Sequence, residues 1–445
     1  MPTSRGRVAY SLMEEVLRFI AALLCLVVSC SAALAENAQF KFLKTVSVKE
    51  LNAILDAERT AFLSREVPGP GYQLPPVSKA TNAVDIYTVH YDSNIPELGN
   101  RRISVTGLLA IPKLADLKSV RLISYQHGTV FPKYAVPSFA FKQHNPTPFD
   151  TYDDSYETRY MVGLFAGNGY AVMAADYFGL GGNASDNESY MMKQSSAQSS
   201  FDLYFDVKRY LADSDIKISD FFLGGWSQGG LNTTGLLEKF ESRGIKVRAA
   251  FSAANPNDPL AALNAALFDP MESDAKWINT IIALTVFSCQ NFIGPADLAR
   301  KTINPKYYDT FNSIYERSYG SPQGNPEALL NILIELAGVP NIRFLREELR
   351  DPAKFAASDY GKCLAESETY RQEFKTPIRM YYGTSDEVIR VRVARLPYDY
   401  HLAMNSTPDA EAESKIKMFP VDGGTHRLTF INATHLAKPW IDRLR

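Results

Sequence analysis

The segment from Asp220 to Ser242 constrains the fold more than any other. Asp220-Phe221-Phe222-Leu223-Gly224-Gly225 reads as a short apolar strand ending in glycines, and Leu231 to Glu238 continues as a helix. Between them, Gly225-Trp226-Ser227-Gln228-Gly229-Gly230 leaves room for a single tight turn. Glycines two places before and two places after Ser227 tolerate a backbone approach that side chains would block. A chain that passes this abruptly from buried strand to helix belongs in a sheet layered against helices.

The rest of the chain repeats that rhythm. Ser47-Val48-Lys49-Glu50 fits a capping box, and Val48, Leu51, Leu55 and Phe62 follow at helical spacing, so 47–64 is expected to be a helix. Two alternating, β-branched runs come next, Val84 to Tyr91 and Ile103 to Ile111, with a turn-rich stretch from Asp92 to Asn100 between them. Buried strands are then expected at Val120–Tyr125, Tyr170–Ala175, Phe221–Gly224, Val247–Ala253, Ile378–Gly383 and Ile416–Phe419. Helices over Thr158–Gly167, Phe201–Ala212 and Gln228–Ser242 alternate with them, which predicts an α/β fold with a mostly parallel central sheet flanked by helices. The connection after Val247–Ala253 is far too long for a loop and carries helical patterns of its own, at Trp277–Phe287 and Pro326–Ala337. The expected organisation is therefore an N-terminal helix and extended segment over 36–83, a core over 84–254 and 376–445, and an inserted helical cap over 255–375.

The N-terminus has the pattern of an export signal. Arg5, Arg7 and Arg18 precede the apolar run Phe19 to Val28, and Ala33-Leu34-Ala35 supplies a cleavage site, which makes 1–35 a signal peptide. The apolar run is too short for a membrane span. Val27-Val28-Ser29-Cys30 also fits a lipobox, so a lipoprotein anchored through Cys30 stands as the alternative to a secreted or periplasmic protein. Of the four cysteines, only Cys289 and Cys363 lie beyond this segment. In an oxidising compartment they are expected to pair as a disulfide, with two buried thiols as the other reading. A net charge of −2 argues against a nucleic-acid partner. No CxxC pair, metal-spaced histidine or dinucleotide motif calls for a metal or cofactor. The oligomeric state is left open.

The turn at Ser227 lifts a hydroxyl to the end of a strand and in front of a helix N-terminus, where developing negative charge is favoured. A serine needs a base to become a nucleophile. Among six histidines, His90 falls in an early strand, His144 in a proline-rich loop, His401 after a helix and His435 inside the terminal helix. His426 alone follows a predicted parallel strand through a glycine-rich loop, at the strand end where such sheets gather reactive groups. Asp386, just beyond Ile378–Gly383, is the expected orienting carboxylate, with Asp258 as runner-up and Glu387 expected to point elsewhere. Gln126-His127-Gly128-Thr129 follows another strand end. It is expected to present the Thr129 N–H beside that of Gln228 as an oxyanion hole, with His127 shaping the loop.

Taken in order, Gln126-His127-Gly128, Gly169-Tyr170 leading to Asp176-Tyr177-Phe178-Gly179-Leu180-Gly181, Gly225 to Gly230, and Asp386 with His426 resemble the α/β-hydrolase superfamily over roughly 84–445. Its secreted lipase and esterase branches are the more particular likeness. The resemblance implies a Ser227–Asp386–His426 triad and two-step acyl transfer through an acyl-enzyme. The expected substrate is a small-molecule or lipid ester. An amide substrate for the same triad, and a non-catalytic binding protein on the same fold, are the competing readings.

Overall fold

In the computed structural model the described residues are 38–64, 66–142, 156–318, 326–405 and 415–444. The expected signal segment 1–35 with Cys30, and also His144, lie outside them. The core opens with strand β1 (Gln39–Val46), helix α1 (Val48–Leu63), and strands β2 (Val84–Ile95), β3 (Arg101–Pro112) and β4 (Ser119–Gln126). It continues through α2 (Tyr156–Phe165), β5 (Tyr170–Ala175), α3 (Lys193–Asp213), β6 (Lys217–Trp226), α4 (Gln228–Ser242) and β7 (Ala249–Ala253). A stretch of helices follows, in which the main elements are α5 (Pro259–Phe268), α6 (Ile278–Phe292), α7 (Leu298–Thr302) and α8 (Tyr308–Glu316). Helices α9 (Pro326–Ala337), α10 (Pro352–Ala357) and α11 (Asp359–Glu366) complete it. The chain returns to the sheet with β8 (Ile378–Gly383), then α12 (Val391–Ala394), α13 (Leu396–Met404), β9 (Ile416–Val421) and α14 (His426–Arg443).

The strands form one nine-stranded sheet in the order β1-β2-β3-β5-β4-β6-β7-β8-β9. Pairings from β5 through β4 to β9 are all parallel, and β1, β2 and β3 add antiparallel pairings at one side. Side chains of a strand alternate between faces, so a strand covered on both sides is apolar throughout. In β6, Phe221 and Leu223 enter one hydrophobic core while Phe222 enters the other. β5 behaves the same way, with Ala171 and Met173 on one side and Val172 and Ala174 on the other. One core is closed by α1, α2 and α14; the other is closed by α3, α4 and the helical insertion.

Several local expectations shift. β1 was not foreseen; it pairs with β2 over Gln39–Val46 as an edge strand. The stretch from Asp92 is not a turn at its start, since β2 runs on to Ile95 and the reversal is compressed into Pro96 to Asn100. α3 begins at Lys193, well before Phe201, although Ser195, Ser196, Ser199 and Ser200 are weak helix formers. Tertiary contacts outweigh propensity there. Glu97 accepts the Ser195 N–H at 3.0 Å, and Tyr91 donates to the Ser199 carbonyl at 2.9 Å. At the N-terminus the capping box is present, with Ser47 and Glu50 exchanging bonds at 3.2 and 2.8 Å.

Cys289 of α6 and Cys363 of α11 form a disulfide spanning 74 residues. Closing a loop of that length removes unfolded-state entropy worth about 4 kcal/mol. The double variant Cys289→Ser/Cys363→Ser is therefore expected to unfold several degrees below the parent in differential scanning fluorimetry. The same downward shift should follow reduction of the parent protein.

Candidate active site

Parallel strands place their following loops on one edge of the sheet. Ser227 follows β6, the Gln126–Thr129 segment leaves β4, Asp386 follows β8, and His426 follows β9. Ser227 sits at φ 56°, ψ −125°, a left-handed conformation that an L-residue adopts only under constraint. The constraint is close packing. A Cβ on Gly225 would stand 2.1 Å from the Gly229 carbonyl oxygen, and a Cβ on Gly229 would stand 1.9 Å from that of Gln126. Ser227 N–H donates to the Ala253 carbonyl at 2.9 Å, and its own carbonyl accepts the Gly230 N–H at 2.8 Å. α4 begins directly at Gln228, so the Gln228 amide belongs to the first helical turn, whose N–H groups lack intrahelical acceptors.

His426 Nε2 lies 2.9 Å from Ser227 Oγ, and its Nδ1 lies 3.1 Å from each Asp386 carboxylate oxygen. The side chains of His426 and Asp386 are 3% and 2% exposed, so this chain of contacts is shielded from bulk water. Asp386 Oδ1 also accepts the N–H groups of Val388 and Ile389 at 2.9 and 2.8 Å, which fix the carboxylate. Trp226 Nε1–H donates to the His426 carbonyl at 3.0 Å and its ring packs against the imidazole. Burial opposes protonation of His426, but Asp386, Glu387 and Glu66 together outweigh it and hold the imidazole above its ordinary range. Such an arrangement can take a proton from the hydroxyl and stabilise the resulting imidazolium.

The other candidates fall away on geometry. Asp258 caps α5, accepting the Ala261 N–H at 2.9 Å. His90 lies exposed on β2, His401 lies within α13 rather than after a helix, and His435 lies in α14. His127 is buried and stacked on Tyr177, with Nδ1 2.8 Å from the Gly128 carbonyl oxygen and Nε2 3.3 Å from that of Asp176, only one of which a single N–H can serve. Burial pushes its imidazole down to about 4, so it is neutral. Thr129 Oγ1 pairs with the Tyr190 hydroxyl at 2.7 Å, and Thr129 and Ser227 border the same apolar slot.

Three residues were missed or misjudged from sequence. Glu387 does not point elsewhere, because its Oε2 accepts the backbone N–H of His426 at 3.0 Å. Glu157, buried at the start of α2, accepts the Gly128 N–H at 2.8 Å and the Tyr125 hydroxyl. Burial pushes its carboxyl up to about 7. Arg317, left-handed after α8, reaches the other side of the loop that leaves β4, donating to the carbonyls of Phe131 and Val130 at 2.7 and 3.2 Å. It also pairs with the buried Glu188 at 2.6 Å. These contacts join residues far apart in the chain, and no local motif announces them. Among the described residues no His, Cys, Asp and Glu cluster could hold a metal, and no helix is long and apolar enough to cross a membrane.

The same architecture occurs in solved structures. A presumed hydrolase from Legionella pneumophila superposes with a TM-score of 0.70 at 17% identity, covering 91% of this chain and 97% of its own. The rice cell wall degrading esterase LipA from Xanthomonas oryzae, in a ligand-bound form, gives 0.69 at 15% identity over 92% and 98%. Candida antarctica lipase A in its closed state gives 0.54 at 16% identity over 76% and 72%. No protein-family model and no curated protein sequence matches the chain. At these identities the likeness establishes the α/β-hydrolase fold, and anything finer rests on the site itself.

Glu157→Ala would leave the Gly128 N–H and the Tyr125 hydroxyl buried without this acceptor. It is expected to cost about 2–4 kcal/mol in chemical denaturation. Glu157→Gln, which keeps one acceptor oxygen, should recover a measurable part of that loss.

Proposed function

We propose that the protein hydrolyses carboxylic esters through a Ser227–His426–Asp386 triad. His426 takes the Ser227 proton as Oγ attacks the ester carbonyl, and the backbone N–H groups of Gln228 and Thr129 receive the oxyanion. The tetrahedral intermediate collapses, the C–O bond to the alcohol breaks, and His426 returns the proton to the departing alcohol. Water, activated by the same imidazole, then frees the acid and restores Ser227. Asp386 holds the imidazole in the tautomer that faces Ser227 and stabilises its protonated form.

The observation that carries this reading is the buried contact line from Ser227 Oγ through His426 to Asp386, at 2.9 and 3.1 Å, on the edge where four strand-end loops converge. The esterase and lipase identities of two fold neighbours support an ester over other acyl substrates. Residues 255–375 act in this reading as a cap over the site. The Cys289–Cys363 disulfide supports an exported protein, with an N-terminal signal and either release or a Cys30 lipid anchor.

Two tests follow from the geometry. Ser227→Ala should lower kcat on p-nitrophenyl acetate by on the order of 10⁵-fold or more while leaving the thermal midpoint close to the parent's. Comparable turnover in this variant would refute the assignment. The base must be neutral to act, so kcat/KM should rise with pH through the raised pKa of His426. The midpoint of that acid limb is expected above the ~6.5 of an ordinary histidine. Asp386→Asn, by removing the largest charge that favours imidazolium, should move this limb to lower pH as well as slow turnover.

A further inference from the structure

Two spaces share Trp277 as a wall. The first is an apolar slot with Ser227 and Thr129 at its mouth and Met191, Leu263, Trp277 and Ile281 in its walls. The second is a wider cleft whose walls mix charged Glu66, Glu387 and Arg427 with apolar Val67, Ala275 and Trp277. Their sizes differ sharply. The slot has a volume of about 30 Å³, against about 530 Å³ for the cleft.

His426 must protonate the leaving alcohol, so the alcohol half has to lie on the imidazole's side. Thr425 and Arg427, which flank His426, and Glu387, which accepts its backbone N–H, all line the wider cleft. Ser227 and Thr129 border the slot and not the cleft, with Val388 and Ile389 of the loop after Asp386 completing its walls, so the slot is the space open to the group carried on the ester carbonyl. One water needs about 10–15 Å³, so the slot admits two or three atoms beyond the carbonyl.

Its walls are not a loose flap. Met191, Leu263 and Ile281 are buried in the same hydrophobic core, where extra methylenes force strain on closely packed neighbours. α6, which carries Ile281, is pinned along its length. Thr285 Oγ1 meets the Tyr360 hydroxyl at 2.6 Å, Ser288 donates to the Glu188 carbonyl at 2.7 Å, and Cys289 is in the disulfide. We infer that the substrates are esters with a short acyl half, of about two to four carbons, seated in the slot beside Ser227. This rests on the ester-hydrolase reading above and adds a substrate class to it.

The test is a p-nitrophenyl ester series from acetyl to dodecanoyl on the purified protein, run beside labelling of Ser227 by a fluorophosphonate. Acetyl to butyryl esters should lead, with kcat/KM for octanoyl at least about 100-fold lower than for acetyl. Ile281→Ala and Leu263→Ala should each raise the octanoyl-to-acetyl ratio about tenfold or more, and Ile281→Val should raise it less if the alanine variants fold poorly. Octanoyl turned over as well as acetyl by the parent protein, with Ser227 labelled, would overturn the length limit and leave the hydrolase reading intact. An unchanged ratio in the folded wall variants, or labelling without turnover of any ester, would overturn it too. Neither labelling nor turnover would overturn both.

Discussion

The contact on which the site depends is the approach of the first turn of α4 to the end of β4. Only a residue without a Cβ at position 229 lets the helix start against the Gln126 carbonyl, and Gly225 makes room for the carbonyl of Gly229 in turn. That packing holds Ser227 in its left-handed conformation and aims its hydroxyl off the sheet edge. It also sets the Gln228 amide next to the loop leaving β4, so Ser227 and the proposed oxyanion donors are placed by one constraint. His426 and Asp386 then need only correct strand order. β8 and β9 are parallel neighbours, in register from Ile378 with Ile416 to Gly383 with Val421, which brings their following loops together.

Around this edge the protein buries charge in pairs. Arg317 and Glu188 are 3% and 2% exposed and link the helical insertion to the loop behind Thr129. Arg390 and Asp274, also largely buried, tie the loop after Asp386 to the segment leading into α6 at 2.7 Å. Buried ion pairs repay their desolvation poorly compared with apolar packing, and their value lies in geometry. Here Arg317, through its bonds to Val130 and Phe131, and the Arg390–Asp274 pair each join the insertion to a loop that carries a proposed catalytic group. The insertion is thereby held against the edge that carries the proposed catalytic groups, where Leu263, Trp277 and Ile281 wall the apolar slot.

Much of this was legible in the sequence, for identifiable physical reasons. Buried parallel strands must be apolar on both faces, so Tyr170–Ala175 and Ile378–Gly383 could be bounded to the residue. The strand-turn-helix at Ser227 and the glycine-rich loop before His426 carry their chemistry in local spacing. β1 was missed because an exposed edge strand with Lys41 and Lys44 lacks the apolar run that marks its buried partners. α3 was cut short because its first turns are serine-rich and helical only through contacts with Glu97 and Tyr91. Glu157, Glu387 and Arg317 act on the backbone of residues distant in the chain, and such contacts leave no periodicity to read.

The central claim is that Ser227 carries the acyl group during turnover. Rapid-quench mass spectrometry of the protein during hydrolysis of p-nitrophenyl acetate addresses it directly. One acetyl group is expected on the peptide containing Ser227, formed in the first turnover and lost once substrate is consumed. Sustained hydrolysis with no protein-bound acetyl, or with the acetyl group on another residue, would contradict it.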